Sequence, residues 1–184
     1  FQNILIGVTE FFRDLPVFEE IEAYLRKIVA SKQKGEAIRI WVPGCASGEE
    51  AYSLAILLYR QLNERLADYK VQIFGTDIDE QAIKIARRGV YPQGAIQKLP
   101  PHILENYFLK KGNEYELLKP IRSMVLFSKH DLTANPPFLL SPLVHPPNQH
   151  THTRRAATVQ WVLLPLHVHF SHRHPHDCSL IGWR

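Results

Sequence analysis

Sulfur is scarce in this chain: two cysteines, Cys45 and Cys178, and one methionine among 184 residues. Two cysteines make no disulfide framework, so the expected compartment is the reducing cytoplasm. No apolar run approaches the roughly 20 residues a membrane-spanning helix needs. The N-terminal stretch also lacks the basic-then-apolar pattern of a secretion signal. Membrane insertion is therefore not expected. Net charge is small, +4, which permits contact with acidic surfaces but gives no argument for nucleic-acid binding. Internal repeats are absent. Lysine ends at Lys129 and glutamate at Glu116, and from His145 onward the chain holds eight of its ten histidines and a single acid, Asp177.

What is present suits a globular domain with its own core, with 45% hydrophobic and 22% charged residues. Over residues 17–31, Val17, Phe18, Ile21, Leu25, Ile28 and Val29 recur at helical spacing on one stripe. A strand follows over 37–42, then a turn at Gly44-Cys45-Ala46-Ser47-Gly48, and a helix over about 49–66. A second strand spans 71–74 and ends near Asp77. A short helix covers 79–88, with Ile78, Ala82, Ile83 and Ala86 inward and Gly89 closing it. Pro100-Pro101 starts a helix running through Phe108, and Lys110 to Glu114 makes a turn between two short strands. Residues 121–127 read as another strand, with 128–132 leaving its end. This βαβα order predicts an α/β fold with a Rossmann-like, doubly wound parallel sheet and a small β-hairpin insertion.

In such a sheet, ligands sit outside the carboxyl ends of the strands. Gly44 and Gly48 allow the backbone to approach a ligand, and an acid at the end of the second strand can grip ribose hydroxyls. A dinucleotide fingerprint reads G-x-G-x-x-G with pyrophosphate on the helix N-terminus. Here the spacing is G-x-x-x-G, and Glu49 and Glu50 follow at once. Acids there suit the helix dipole and repel phosphate. The pattern favours a nucleoside without phosphates, carrying a cationic centre. S-adenosylmethionine fits that description and NAD fits poorly.

Thr9-Glu10-Phe11-Phe12-Arg13, the stretch from Gly44 to Ser53, and Thr76-Asp77-Ile78-Asp79, with Gly89-Val90-Tyr91 and Asp131-Leu132 downstream, together resemble the CheR-type chemotaxis receptor methyltransferases. The resemblance covers about residues 4–139. It implies a class I methyltransferase fold, cytoplasmic, that uses S-adenosylmethionine to esterify glutamate side chains on chemoreceptors, leaving S-adenosylhomocysteine. The implied partner is the cytoplasmic domain of a chemoreceptor. The phrase Gly7-Val8-Thr9 and the aspartate after Arg13 look more like versions fused to, or associated with, methylesterase and kinase modules. By resemblance, Thr9 and Arg13 contact the methionine carboxylate end and the transfer centre, with Arg13 the catalytic residue. Glu50 lies near the cofactor's amino-acid portion, Asp77 binds the ribose hydroxyls, and Asp131 with Leu132 flanks the adenine. The loop around Gly112, where this family carries a small receptor-touching β subdomain, is short here.

Each of these residues also has a plainer reading. Arg13 pairs with Glu19 or Glu20, Glu49 and Glu50 serve the helix dipole, and Asp77 caps the helix starting near Asp79. Thr9 caps the segment from Glu10, Asp131 ends a strand, Phe11 and Phe12 belong to the core, and Cys45 is a small turn residue. Two other functions stand beside methyl transfer: a non-catalytic module that binds the cofactor or a signalling partner, and a nicotinamide-dependent oxidoreductase, which the turn spacing disfavours.

After Leu139 the family pattern stops. The expected organisation is a C-terminally incomplete methyltransferase domain over 1–139, with an inserted subdomain at about 92–120. A poorly ordered, His/Pro-rich tail follows over 140–184, reading like another frame. Losing the later strands is expected to expose the edge of a central strand. His167, His169, His172, His174 and His176 are closely spaced, but no cysteine pair accompanies them, so no designed metal site is expected.

Overall fold

The computed structural model describes residues 9–132, 134 and 161–163. Helix α1, Leu15–Ser31, forms where the apolar spacing predicts, with Pro16 in its first turn, and buries Phe18, Ile21, Leu25, Ile28 and Val29. Val17 leaves that stripe and is 42% exposed, since consecutive helical residues point about 100° apart.

Strand β1, Ala37–Pro43, buries Ile38, Ile40, Trp41 and Val42, covered on both faces as parallel strands are. Strand β2, Lys70–Asp77, runs parallel to it from Ala37 opposite Lys70 to Pro43 opposite Thr76. Strand β6, Val125–Lys129, lies on the far side of β2, with Lys129 opposite Asp77. Strand β7, Trp161–Leu163, lies on the far side of β1, opposite Arg39 to Trp41. The sheet is all parallel in the order β6-β2-β1-β7. A central strand was expected to have an exposed edge; that side of β1 is paired over those three residues. The remaining tail residues, with the closely spaced histidines and the stretch Asn135 to Leu139, lie outside the described residues.

Helix α2, Glu49–Leu62, is buried along most of its length and passes into a 3₁₀ segment, Asn63–Asp68. Helix α3, Glu80–Arg88, is capped by the Asp79 carboxylate, which accepts the Gln81 N–H at 2.8 Å and the Ala82 N–H at 3.3 Å. Ile83 and Ala86 face the core, but Ile78 precedes the cap and is 51% exposed, contrary to its predicted inward place.

Between α3 and β6 the chain builds a second, antiparallel sheet, β3-β5-β4. Its strands are β3, Val90–Pro92, β4, Phe108–Lys111, and β5, Glu114–Leu117; helices α4, Gln93–Ile96, and α5, Pro101–Tyr107, lie between β3 and β4. The predicted hairpin is β4–β5, and β3 adds a third strand. Residues Ile121 to Ser123, predicted as strand, belong instead to helix α6, Lys119–Ser123. Pro120 suits a first helical turn and leaves the strand to begin at Val125. Arg122 of α6 pairs with Glu116 of β5 at 2.8 Å and so ties the small sheet to the main body.

Candidate cofactor-binding site

Parallel pairing brings the carboxyl ends of β1, β2 and β6 to one edge of the sheet, and the turn Gly44 to Gly48 caps it. Cys45 N–H donates to the Thr76 carbonyl at 3.0 Å, fastening the turn to β2. The Asp77 carboxylate grips the same turn: Oδ2 accepts the Ala46 N–H at 2.7 Å, while Oδ1 accepts the Asp79 N–H at 2.9 Å. The cap of α3 is Asp79, so Asp77 does not have the helix-capping role that the plainer reading allowed. Just beyond β6, the His130 N–H donates to the Asp77 carbonyl at 2.9 Å. That places half-buried Asp131 and exposed Leu132 next along the chain at this edge. Asp131 Oδ1 accepts the Ala134 N–H at 3.2 Å.

The two turn glycines do different work. At Gly44, with φ +66°, a Cβ would meet nothing within 4 Å, so open space faces the backbone there. Gly48, with φ +93°, is closed in by the protein. A Cβ would lie 2.9 Å from both Ala86 Cβ and Phe127 Cζ. Only Gly44 keeps the backbone open to a ligand, a correction for Gly48, where the glycine serves helix–sheet packing.

Both first-turn glutamates of α2 are buried, Glu49 at 5% and Glu50 at 7% exposure. Burial pushes the Glu50 carboxyl up to about 7, against the opposing pull of the Arg13 guanidinium. Arg13 thus acts on Glu50 across the site. Burial likewise raises the Glu49 carboxyl, partly offset by the Ser47 hydroxyl, by its own backbone N–H and, least, by Thr9. The Ser47 Oγ lies 2.9 and 2.7 Å from the two Glu49 oxygens. Burial, with Asp77 and Glu50 nearby, pushes the Cys45 thiol far up, so it stays protonated and unreactive.

The segment carrying Thr9 and Arg13 is anchored by its backbone as well. The Phe12 N–H donates to Ser53 Oγ at 3.0 Å, and Ser53 in turn donates to the Glu49 carbonyl at 2.8 Å. Phe11 inserts edge-on between Tyr91 and Phe108, with ring centroids at 5.0 and 5.4 Å. Tyr91 donates its hydroxyl to the Ser47 carbonyl at 2.7 Å. The contacts connect Thr9, Arg13, Glu50 and Asp77 to one turn and bring Asp131 and Leu132 to the same edge. Ser53 and Tyr91 carry no site role in the sequence pattern, and Glu49 enters it only with Glu50 as an acid that repels phosphate. Ser53 and Tyr91 act on backbone carbonyls of Glu49 and Ser47, contacts that no local sequence pattern signals. Among the described residues, no group of His, Cys, Asp and Glu is placed to hold a metal ion, and no helix is long and apolar enough to cross a membrane.

A parallel sheet with an acid ending its second strand, beside a phosphate-averse glycine turn, defines a Rossmann-like nucleoside-binding domain. The chain belongs to the CheR methyltransferase family: the family's SAM-binding domain matches residues 7–141. It is 32% identical over 129 residues to the chemotaxis protein methyltransferase of Borreliella burgdorferi, covering 67% of this chain and 45% of that protein. It is also 32% identical over 129 residues to that of Listeria innocua, covering 70% of this chain and 47% of the relative. An uncharacterized 104.1 kDa protein of Rhodobacter capsulatus is 35% identical over 144 residues, 78% of this chain and 15% of that protein. The chain thus spans under half the length of these relatives.

Proposed function

We propose that this chain binds S-adenosylmethionine at the Gly44–Gly48 turn and, in the cytoplasm, methylates glutamate carboxylates on the cytoplasmic domain of a chemoreceptor. The observation that carries the reading is the Asp77 carboxylate clasping that turn beside a buried Glu50 under the influence of Arg13. The residues present fit the group. Open space faces Gly44, and the acids around it accept hydroxyl and ammonium hydrogens while repelling phosphates.

In this reading Asp77 takes the ribose hydroxyls, Glu50 the amino group of the methionine portion, and Asp131 with Leu132 flanks the adenine. Thr9 and Arg13 stand at the methionine carboxylate and the transfer centre. When bound, the cofactor supplies a methyl group on a sulfonium. Esterifying a carboxylate needs no proton removed from it, so the protein's task is to place the acceptor oxygen and exclude water. Arg13 is suited to orienting an acidic acceptor, since a guanidinium presents paired donors to a carboxylate. The similarity to a segment of a 104.1 kDa protein supports a further reading, in which the domain works with fused or associated methylesterase and kinase modules.

Calorimetric titration with S-adenosylhomocysteine, with NAD as the control, tests the cofactor; labelled methyl transfer to receptor fragments tests the reaction. Binding with transfer supports the proposal, and binding without transfer marks a non-catalytic module. Uptake of NAD alone would overturn the cofactor assignment.

A further inference from the structure

The turn between β1 and α2 does not hold its shape for free. Gly44, Ala46 and Gly48 all have left-handed backbones, with φ of 66°, 45° and 93°, and Ala46 carries a Cβ there. A non-glycine residue keeps such a conformation only when its surroundings enforce it. The Cys45 and Ala46 N–H groups donate to Thr76 and Asp77, and the Gly48 N–H closes the turn on the Cys45 carbonyl at 2.8 Å. A further anchor comes from the small sheet. Tyr91 of β3, paired there with Tyr115 of β5, reaches across to donate its hydroxyl to the Ser47 carbonyl at 2.7 Å. Its ring meets Phe11 and Tyr52 edge-on, with centroids at 5.0 and 6.3 Å, so the hydroxyl has a fixed place. Burial, with Glu49 and Tyr52 nearby, raises that hydroxyl well above its ordinary value, so it stays a donor. The hold of Asp77 on Ala46 is shared with the ribose it is assigned to. Tyr91, only 1% exposed, cannot reach a ligand, and its hold on the turn is not shared.

We propose that Tyr91 is a positioning residue: from the small sheet, its hydroxyl on the Ser47 carbonyl fixes the Gly44–Gly48 turn in the shape that receives the cofactor, without touching the cofactor. The functional effect rests on the cofactor reading above; the fixing of the turn does not. Removing the hydroxyl frees the Ser47 peptide and, through it, the left-handed Ala46. The open backbone at Gly44 then has to be ordered by the ligand itself, and that ordering is subtracted from the binding.

The protein carries its own control. Tyr52 is also 1% exposed and also donates its hydroxyl to a backbone carbonyl, that of Ala86 at 2.8 Å, but in α3 rather than in the turn. Tyr91→Phe and Tyr52→Phe each remove one hydroxyl and keep the ring. The two variants are compared with the parent by calorimetric titration with S-adenosylhomocysteine and by amide hydrogen exchange. Tyr91→Phe is expected to bind about tenfold more weakly, the scale of one lost buried hydrogen bond, and Tyr52→Phe within about twofold of the parent. The Cys45 and Ala46 amides should exchange about tenfold faster in Tyr91→Phe and at the parent's rate in Tyr52→Phe. A purely structural hydroxyl would leave affinity unmoved in both variants or weaken it equally in both, and either result would overturn the proposal. So would a Tyr91→Phe chain that fails to fold, because the hydroxyl would then be holding the domain and not the turn. If the parent takes up no S-adenosylhomocysteine, the cofactor reading fails by itself. The exchange rates then decide: faster turn amides in Tyr91→Phe alone support the fixing of the turn, and unchanged ones refute it.

Discussion

Glu50 offers the sharpest handle on the site, because its protonation is tied to its position. In the unfolded chain it titrates near 4.5; in the folded chain burial lifts it to about 7, with Arg13 opposing. Between those values the folded protein holds one more proton than the unfolded one, so stability falls as pH rises from about 4.5 to 7. At about 1.4 kcal/mol per pH unit, the loss attributable to this carboxyl is about 3 kcal/mol, complete above the folded value. Glu50→Gln cannot ionise and escapes that loss. For a chain of this size, the difference amounts to a melting-temperature gap of about 6–12 °C that opens between acidic pH and pH 8. Glu49, also raised by burial, titrates in both proteins, and the Cys45 thiol stays protonated throughout this range, so the comparison isolates Glu50. Thermal melts of the two proteins at half-unit pH intervals provide the measurement. Parallel curves for parent and variant would refute the reasoning. The same carboxyl must be ionised to accept an ammonium group. S-adenosylhomocysteine affinity of the parent should therefore rise with pH through about 7, with proton release seen in buffers of differing ionisation enthalpy, and the rise should vanish in Glu50→Gln.

Replacing Gly48 by alanine forces a side chain into a left-handed position already occupied by Ala86 and Phe127; unfolding in urea should show a loss of about 2–4 kcal/mol. Trp41→Phe removes the 2.9 Å bond from the indole N–H to Thr76 Oγ1 and leaves that buried hydroxyl without its donor, which should cost about 1–2 kcal/mol in the same assay. Asp79→Ala removes only the α3 cap, so it should lose about 1 kcal/mol of stability and leave S-adenosylhomocysteine affinity unchanged. Asp77→Asn keeps an acceptor for the Ala46 N–H but lacks the charge, and calorimetry should show it folded with binding weakened about tenfold or more.

Much of this arrangement could be read directly from the sequence. The apolar runs of β1 and β2, the glycine turn between β1 and α2, and the acid at the end of β2 each have a local cause, and each appears where predicted. What escaped the reading depends on contacts distant in sequence. Gly48 looked like room for a ligand, but its space is taken by Phe127, 79 positions away, a fact no local pattern contains. Ile121 to Ser123 lead straight into the apolar run Met124 to Phe127 and so looked like its start, and only Pro120 in the first turn hinted at helix. Ile78 seemed to belong to the α3 stripe because the helix was placed one residue early; the Asp79 cap moves the start beyond it. The edge of a central strand was expected to be exposed because the family pattern ends, yet pairing on β1 needs only three residues in extended form, and Trp161–Leu163 supplies them.

The division between Glu49 and Glu50 shows why two identical neighbours could not be assigned from sequence. Adjacent helical residues point about 100° apart, so one turn of α2 presents its acids to different surroundings. One direction leads to the hydroxyls of Ser47 and Thr9, the other toward a guanidinium. Burying both acids at one helix start is tolerable because their partners differ. Neutral hydroxyl donors serve the first, while the Arg13 guanidinium acts on the second. Had Arg13 been tied to Glu49 instead, the cation would have become part of the framework. It stands instead on a segment whose backbone is held by the Ser53 hydroxyl, with its side chain exposed beside the Glu50 carboxyl.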